Sequence, residues 1–174
     1  MTAVHRSAFL RRATSGDVGR ILDILISGRE AQRRMGFVQW DDDFPQRCVV
    51  ENDIKTGQGY IFEIEGEAAG YVAVLDFDSE YLRLSHIWSC DEPYCVAHRL
   101  AIADEFRGRG ISALLFDAFE QLAISRGALW MRIDTGTENV PMQSILRRRA
   151  YASLGCQSFV WGPRLAYEKR LVHK

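Results

Sequence analysis

The sequence has no apolar run approaching the roughly 20 residues needed to span a bilayer, no Cys-x-x-Cys pair and almost no net charge. The first absence argues against a membrane-spanning helix. The stretch Met1–Arg12 carries arginines but no continuous apolar segment, so a secretory signal is not expected. The four cysteines, Cys48, Cys90, Cys95 and Cys156, lack zinc-site or redox-motif spacing. They predict reduced thiols in a cytoplasmic protein that binds no metal. A formal net charge of -1 over 174 residues gives no general attraction to nucleic acid or to an anionic membrane, so neither is an expected partner. Any anion site must be built locally. Repeats, low-complexity tracts and Pro- or Ser-rich linkers are also missing, which predicts one domain over residues 1–174.

What is present is an ordinary globular composition, 47% hydrophobic and 26% charged. Phe9–Arg12 reads as a first strand. Ser15 and Asp17 offer cap chemistry for a helix with the apolar stripe Val18, Ile21, Leu22, Leu25 and Ile26, stopping near Gly36. Pro45 opens a shorter helix that ends near Gly57. Tyr60–Glu65 and Ala68–Leu75 predict a hairpin, and Ser79–Pro93 reads as loop. Cys95–Ala103 is the next strand. Ile111–Arg126 has the clearest helical spacing in the chain, stopped by Gly127. A strand at Leu129–Thr135, a helix at Pro141–Arg149 and strands at Ser158–Trp161 and Leu165–Leu171 complete the order. Strand–helix–strand over 95–135 implies a right-handed parallel crossover, and the flanking hairpins imply antiparallel edges. The expected class is therefore α/β, a mixed sheet with helices on both faces.

The chemistry concentrates between Arg99 and Ser112. There the chain leaves a strand, turns through Arg107-Gly108-Arg109-Gly110 and opens its best helix. A helix start presents unpaired N–H groups and the positive end of the dipole. Glycines let the backbone approach a ligand, and the arginines add charge, so a phosphate or pyrophosphate is the natural occupant. A nucleoside-triphosphate loop needs a lysine after its glycines, and none follows. Gly108, Gly110 and Ala113 fit a dinucleotide fingerprint with Asp134 as the ribose acid. However, Asp104-Glu105-Phe106 separates the glycines from their strand, and the residues after Asp134 are too few for the remaining α/β units.

With these residues in view the chain resembles the GNAT superfamily of N-acetyltransferases, whose Arg/Gln-x-x-Gly-x-Gly/Ala signature aligns with Arg107–Ser112, serine replacing the final small residue. The resemblance extends to Gln39-Trp40, Phe44-Pro45, Glu92-Pro93-Tyr94, His98–Ile102, Arg132–Thr135, Asn139-x-Pro141-Met142-Gln143 and Arg164–Lys169, in order along nearly the whole chain. It implies a mixed, mostly antiparallel twisted sheet of about six or seven strands, splayed at strands 4 and 5, with about four helices. It implies acetyl-CoA as co-substrate. Leu100, Ala101 and Ile102 would then hold the pantetheine arm and polarise the thioester. Arg107, Gly108, Arg109, Gly110, Ile111 and Ser112 would grip the pyrophosphate, and Asn139 and Met142 would line the cofactor. The acceptor would be an amine of a small molecule, amino acid or peptide N-terminus, and the protein a monomer or homodimer.

Acyl transfer to an amine needs a neutral nucleophile. A lysine-like amine is neutral in only about one molecule in 2,500 at pH 7, so a base matters. His98 is the first candidate base, standing two residues before Leu100; the competing and simpler reading is a hydrogen-bonded interior residue orienting Arg99 or a neighbouring strand. Glu92 and His86 are further candidates, and His5 and His173 sit near the termini. The position where many relatives carry a thiol-protonating tyrosine is Leu146, which leaves Tyr94, Tyr151 or Tyr167 as substitutes. That gap also raises the alternative of a catalytically silent acyl-CoA-binding module. Arg147-Arg148-Arg149 reads as a complement to a helix dipole, and Trp40, Phe44 and Trp88 as pocket or core.

Overall fold

The computed structural model describes residues 7–172; His5 and His173 lie outside the described residues. The elements are β1 (Ala8–Arg12), α1 (Val18–Arg34), α2 (Arg47–Lys55), β2 (Gly59–Ile64), β3 (Glu67–Leu75), α3 (Ser79–Arg83), β4 (Tyr94–Ile102), α4 (Ile111–Ser125), β5 (Trp130–Gly136), α5 (Val140–Arg148), β6 (Ala152–Phe159) and β7 (Gly162–Arg170). The strands form one sheet in the order β1-β2-β3-β4-β5-β7-β6. The outer ladders β1–β2, β2–β3, β5–β7 and β6–β7 are antiparallel. Strand β4 runs parallel to β5 through Tyr94↔Trp130, Cys95↔Met131 and Val96↔Arg132, where that ladder ends. Three residues later Arg99 takes φ +53°, outside the extended region of a strand. The splay expected at strands 4 and 5 starts there.

The chain divides into two compact units. One takes the chain up to Ala31, Trp40–Ala73 and Arg99–Phe119; the other takes Gln32–Gln39, Val74–His98 and the chain from Glu120. In the first, Ile21, Ile24 and Leu25 of α1 pack with Ile61, Tyr71, Ala101 and Ala103, all buried. The inward stripe therefore includes Ile24, while Ile26, expected in it, is 40% exposed on the far side of the helix. Gly28 continues that stripe. A Cβ there would lie 3.0 Å from the Trp40 ring and 3.3 Å from Ala101 Cβ, so glycine sets how closely α1 approaches β4. Trp40 and Phe44, with ring centroids 4.6 Å apart, border this core.

In the second unit Tyr81, Leu84, Trp88, Val96, Phe159 and Ala166 form a separate core. Trp88 stacks on Tyr81 and carries the Arg132 guanidinium over its ring, so it is packing rather than pocket wall. The opposite sheet face receives Glu120 from α4, whose carboxylate accepts from Lys169, Arg149 and Tyr151. Two segments differ from expectation. The stretch from Ser79 contains α3, because the Asp78 side chain accepts from the amides of Glu80 and Tyr81 and caps a short helix. Strand β6 begins at Ala152, well before Ser158, and its register shifts between Ser153 and Cys156. It is a mostly exposed, bulged edge strand held by β7, so no apolar alternation marks it.

Candidate active site

The glycine turn departs from β4 as the sequence suggests. Gly108 has φ +73° and Gly110 φ +75°, conformations that any L side chain would strain. A Cβ added at either would meet no heavy atom within 4 Å, so the backbone here faces open space. Helix α4 follows at once, with no acidic residue in its first turn. Such a cradle fits a diphosphate: bare backbone, helix-start amides and no repelling carboxylate. The two arginines separate. Arg107 turns inward, its guanidinium donating to the Ile102 carbonyl and Ser27 Oγ and pairing with Asp104. It ties the turn to β4 and α1. Arg109 is exposed and has no ion pair among the described residues, which leaves it the solvent-facing cation of the turn.

Leu100, Ala101 and Ile102 form the end of β4, with Ala101 buried and its neighbours partly open. The strand is anchored just before them, where Arg99 donates to both carboxylate oxygens of buried Asp53 at 2.7 and 2.6 Å. The Ala103 amide continues the attachment, donating to the Ala69 carbonyl at 2.9 Å. Ile111 is buried and Ser112 partly exposed at the helix start.

The second unit holds the remaining candidates. His98 Nε2 lies 3.0 Å from Asp78 Oδ2, and Nδ1 lies 4.0 Å from Asp134 Oδ1. The ring stands edge-on to Tyr81 and to Trp161. Burial acts to raise the Asp78 carboxyl, but the His98 contact and the capped amides outweigh it and hold it below the ordinary range. Asp134 accepts the Tyr81 hydroxyl at 2.7 Å and the Trp161 indole N–H at 3.4 Å, with Arg164 Nε at 3.5 Å. Burial and Asp134 push the Tyr81 phenol well up, so it stays a donor. Asp78, Asp134 and Trp161 were not legible as partners of His98, since they come from three distant segments.

Asn139 is buried and engaged. Its Oδ1 accepts from the Met142 amide to cap α5, and its Nδ2 donates to Gln39 Oε1 at 2.9 Å. Gln39 Oε1 also accepts from Thr135 Oγ1 and the Gly136 amide. Met142 sits partly exposed in the first turn of α5. Leu146 is fully buried. Of the substitute acids, Tyr151 is buried and donates to Glu120 at 2.9 Å, Tyr167 is buried, and Tyr94 lies under the Arg132 guanidinium. Glu92 accepts from the Trp130 indole at 2.8 Å, and His86 is exposed on a short turn. Arg149 pairs with Glu120 rather than facing a ligand.

Residues 25–151 match the model of the acetyltransferase (GNAT) family, well over half the chain. The chain belongs to the GNAT acetyltransferase family. It is thereby an acetyl-CoA-dependent acetyltransferase. A relative, the uncharacterized N-acetyltransferase YesJ of Bacillus subtilis, is 25% identical over 146 residues, covering 82% of this chain and 80% of that one. A GNAT acetyltransferase crystal structure from Streptococcus agalactiae superposes with TM-score 0.84 at 28% identity, covering 96% of both chains. The yncA protein of Salmonella typhimurium, solved with its cofactor acetyl-CoA, shares the fold at TM-score 0.66 and 15% identity, covering 97% of this chain and 96% of that one. The seven-stranded mixed sheet with five helices among the described residues is thus the GNAT fold, one helix more than the sequence pattern suggests.

Proposed function

We propose that this acetyltransferase moves the acetyl group of acetyl-CoA to a primary amine of a small molecule, an amino acid or a peptide N-terminus, by direct attack with both substrates bound. Residues 1–174 act as one domain, as a monomer or homodimer in the cytoplasm. The observation that carries the reading is the positive-φ, unobstructed glycine turn at the start of α4. Backbone amides from Gly108 to Ser112 hold the diphosphate, and Arg109 closes over it from solvent. The backbone of Leu100–Ile102 receives the pantetheine arm and polarises the acyl oxygen. Asn139 positions the start of α5, where Met142 lines the arm. Acetyl-CoA supplies the activated acyl group and a thiol leaving group. His98, held by Asp78, takes a proton from the acceptor nitrogen. Buried Leu146 cannot return one to sulfur, so the thiolate takes its proton from the acceptor nitrogen or from solvent.

The test is calorimetric titration of acetyl-CoA into the wild type, Gly110→Val and Gly66→Val. Gly66 is a hairpin glycine of equal openness, with φ +85°, so it carries the same backbone strain elsewhere. Gly110→Val is expected to lose at least about tenfold in affinity, roughly 1.4 kcal/mol, with unchanged circular dichroism, while Gly66→Val binds normally. Equal affinity in all three would show that the diphosphate lies elsewhere.

A further inference from the structure

His98 is fixed on one side only. Asp78, ionised and therefore acceptor-only, requires a proton on Nε2. Neutral His98 then carries its lone pair on Nδ1. That atom has no hydrogen-bond partner among the described residues, and it is not sealed off. The His98 side chain keeps 15% of its surface exposed, so the ring is enclosed but not sealed from solvent.

Nδ1 faces another acceptor. A carboxylate offers about four acceptor positions. Asp134 accepts from two donors, the Tyr81 hydroxyl on Oδ1 and the Trp161 indole on Oδ2, and pairs with the Arg164 guanidinium at 3.5 Å. Its Oδ1, with capacity beyond the Tyr81 hydroxyl, lies 4.0 Å from Nδ1. Two acceptors at that separation are too far apart to share one proton directly, yet a single nitrogen with several N–H groups reaches both at ordinary hydrogen-bond length. The walls suit an ammonium group. His98 and Asp134 are largely enclosed, at 15% and 7% side-chain exposure, and Trp161 stands edge-on to His98 at 6.0 Å while remaining 42% exposed. Among the described residues no group of three His, Cys, Asp or Glu side chains is arranged to hold a metal ion.

We infer that the acceptor enters as an alkylammonium cation seated between His98 Nδ1 and Asp134 Oδ1, with Asp134 determining specificity and Asp78 positioning His98. This rests on the acetyl-transfer reading above. The ammonium gives one proton to Nδ1, and the freed lone pair forms the C–N bond to the acyl carbon as the C–S bond breaks. The second N–H proton goes to the departing sulfur, and His98 returns its proton to solvent. The products are amide, free thiol and one proton, which balances. Asp78 and Asp134 against the single Arg164 guanidinium leave net negative charge beside neutral His98, which draws the cation in, and Asp78 keeps the accepting lone pair aimed at it.

The acceptor is unidentified, so the first measurement avoids turnover. Propylammonium chloride is titrated into the full chain while the His98 ring nitrogens are followed by 15N NMR. A shift of Nδ1 is expected in the wild type, absent with propanol of the same shape, and absent in Asp134→Asn. No shift with propylammonium, or an equal shift in Asp134→Asn, would overturn the inference and leave water as the occupant. The second measurement follows thiol release across a panel of primary amines. For the best acceptor Asp134→Asn is expected to raise KM at least about tenfold with kcat within about threefold. His98→Gln should lower kcat about a hundredfold and abolish the acid limb of the kcat/KM profile. Asp78→Asn should change the ring 15N shifts of His98 in the ligand-free protein, because an amide no longer requires the proton on Nε2. Unmoved ring shifts in Asp78→Asn would reduce Asp78 to a helix cap. Acetyl-CoA calorimetry separates the two levels: normal acetyl-CoA binding with indifference to ammonium defeats this inference alone, whereas loss of acetyl-CoA binding in the wild type defeats the acetyl-transfer reading.

Discussion

Arg99 shows how a single residue shapes this enzyme. It leaves the extended region at φ +53° and its guanidinium grips Asp53, which is 2% exposed and also accepts the Tyr71 hydroxyl at 2.7 Å. Burial first, and the Asp53 charge second, push that phenol far up, so it remains a donor. Asp53→Ala would strand a largely buried cation and a buried hydroxyl together. The expected loss is about 3–5 kcal/mol in urea unfolding, the range for breaking a buried pair from one side. A loss under about 1 kcal/mol would mean that water replaces the carboxylate. None of this was legible beforehand. Local pattern puts Arg99 in the right strand beside His98, but its partner Asp53 is 46 residues away on α2. No spacing rule links a strand residue to a helix residue across such a gap. The glycine turn was legible because all its parts are contiguous.

At the scale of elements, local patterns located those that bury an apolar stripe and missed those held by neighbours. Helices α1, α2, α4 and α5 and the strands through β5 follow from periodicity and stops. Helix α3 depends on one capping carboxylate and β6 on its pairing with β7, and neither leaves a periodic trace. The entry to α1 is fixed by charge. Asp17 accepts from the Thr14 amide and hydroxyl and from both terminal nitrogens of Arg11. The Arg11 hydrogen bonds, against an opposing burial effect, hold the Asp17 carboxyl well below the usual aspartate range. A group depressed in the folded state stabilises fully above its unfolded value, near pH 4, and that contribution drains away as pH falls toward the folded value. Asp17→Asn is therefore expected to be less stable than wild type at about pH 7, with the gap narrowing steadily below about pH 4. Paired urea melts at about pH 7 and pH 3 measure it. A gap of equal size at both would mean that the cap works without its charge.

For the whole molecule, four elements carry residues of both compact units. Helix α1 passes from one to the other after Ala31, strand β3 after Ala73, β4 after His98 and α4 after Phe119. Opening either unit therefore breaks continuous strands out of their ladders and cuts through two continuous helices, which favours one cooperative transition. The family match over residues 25–151 also runs through both units. A ligand that binds only the folded chain stabilises it by about 2.7 kcal/mol at a hundred times its Kd. At this chain length each kcal/mol is worth about 2–4 °C in Tm, so acetyl-CoA is expected to move a single transition upward by about 5–10 °C. NAD is expected to leave it in place, because Asp104-Glu105-Phe106 forms a helical turn between β4 and the glycines instead of the direct strand-to-loop passage that a dinucleotide fold uses. Scanning calorimetry with each ligand in turn decides between the cofactors. A shift confined to part of a split transition would show that the two units melt separately and that residues 1–174 are not one cooperative domain.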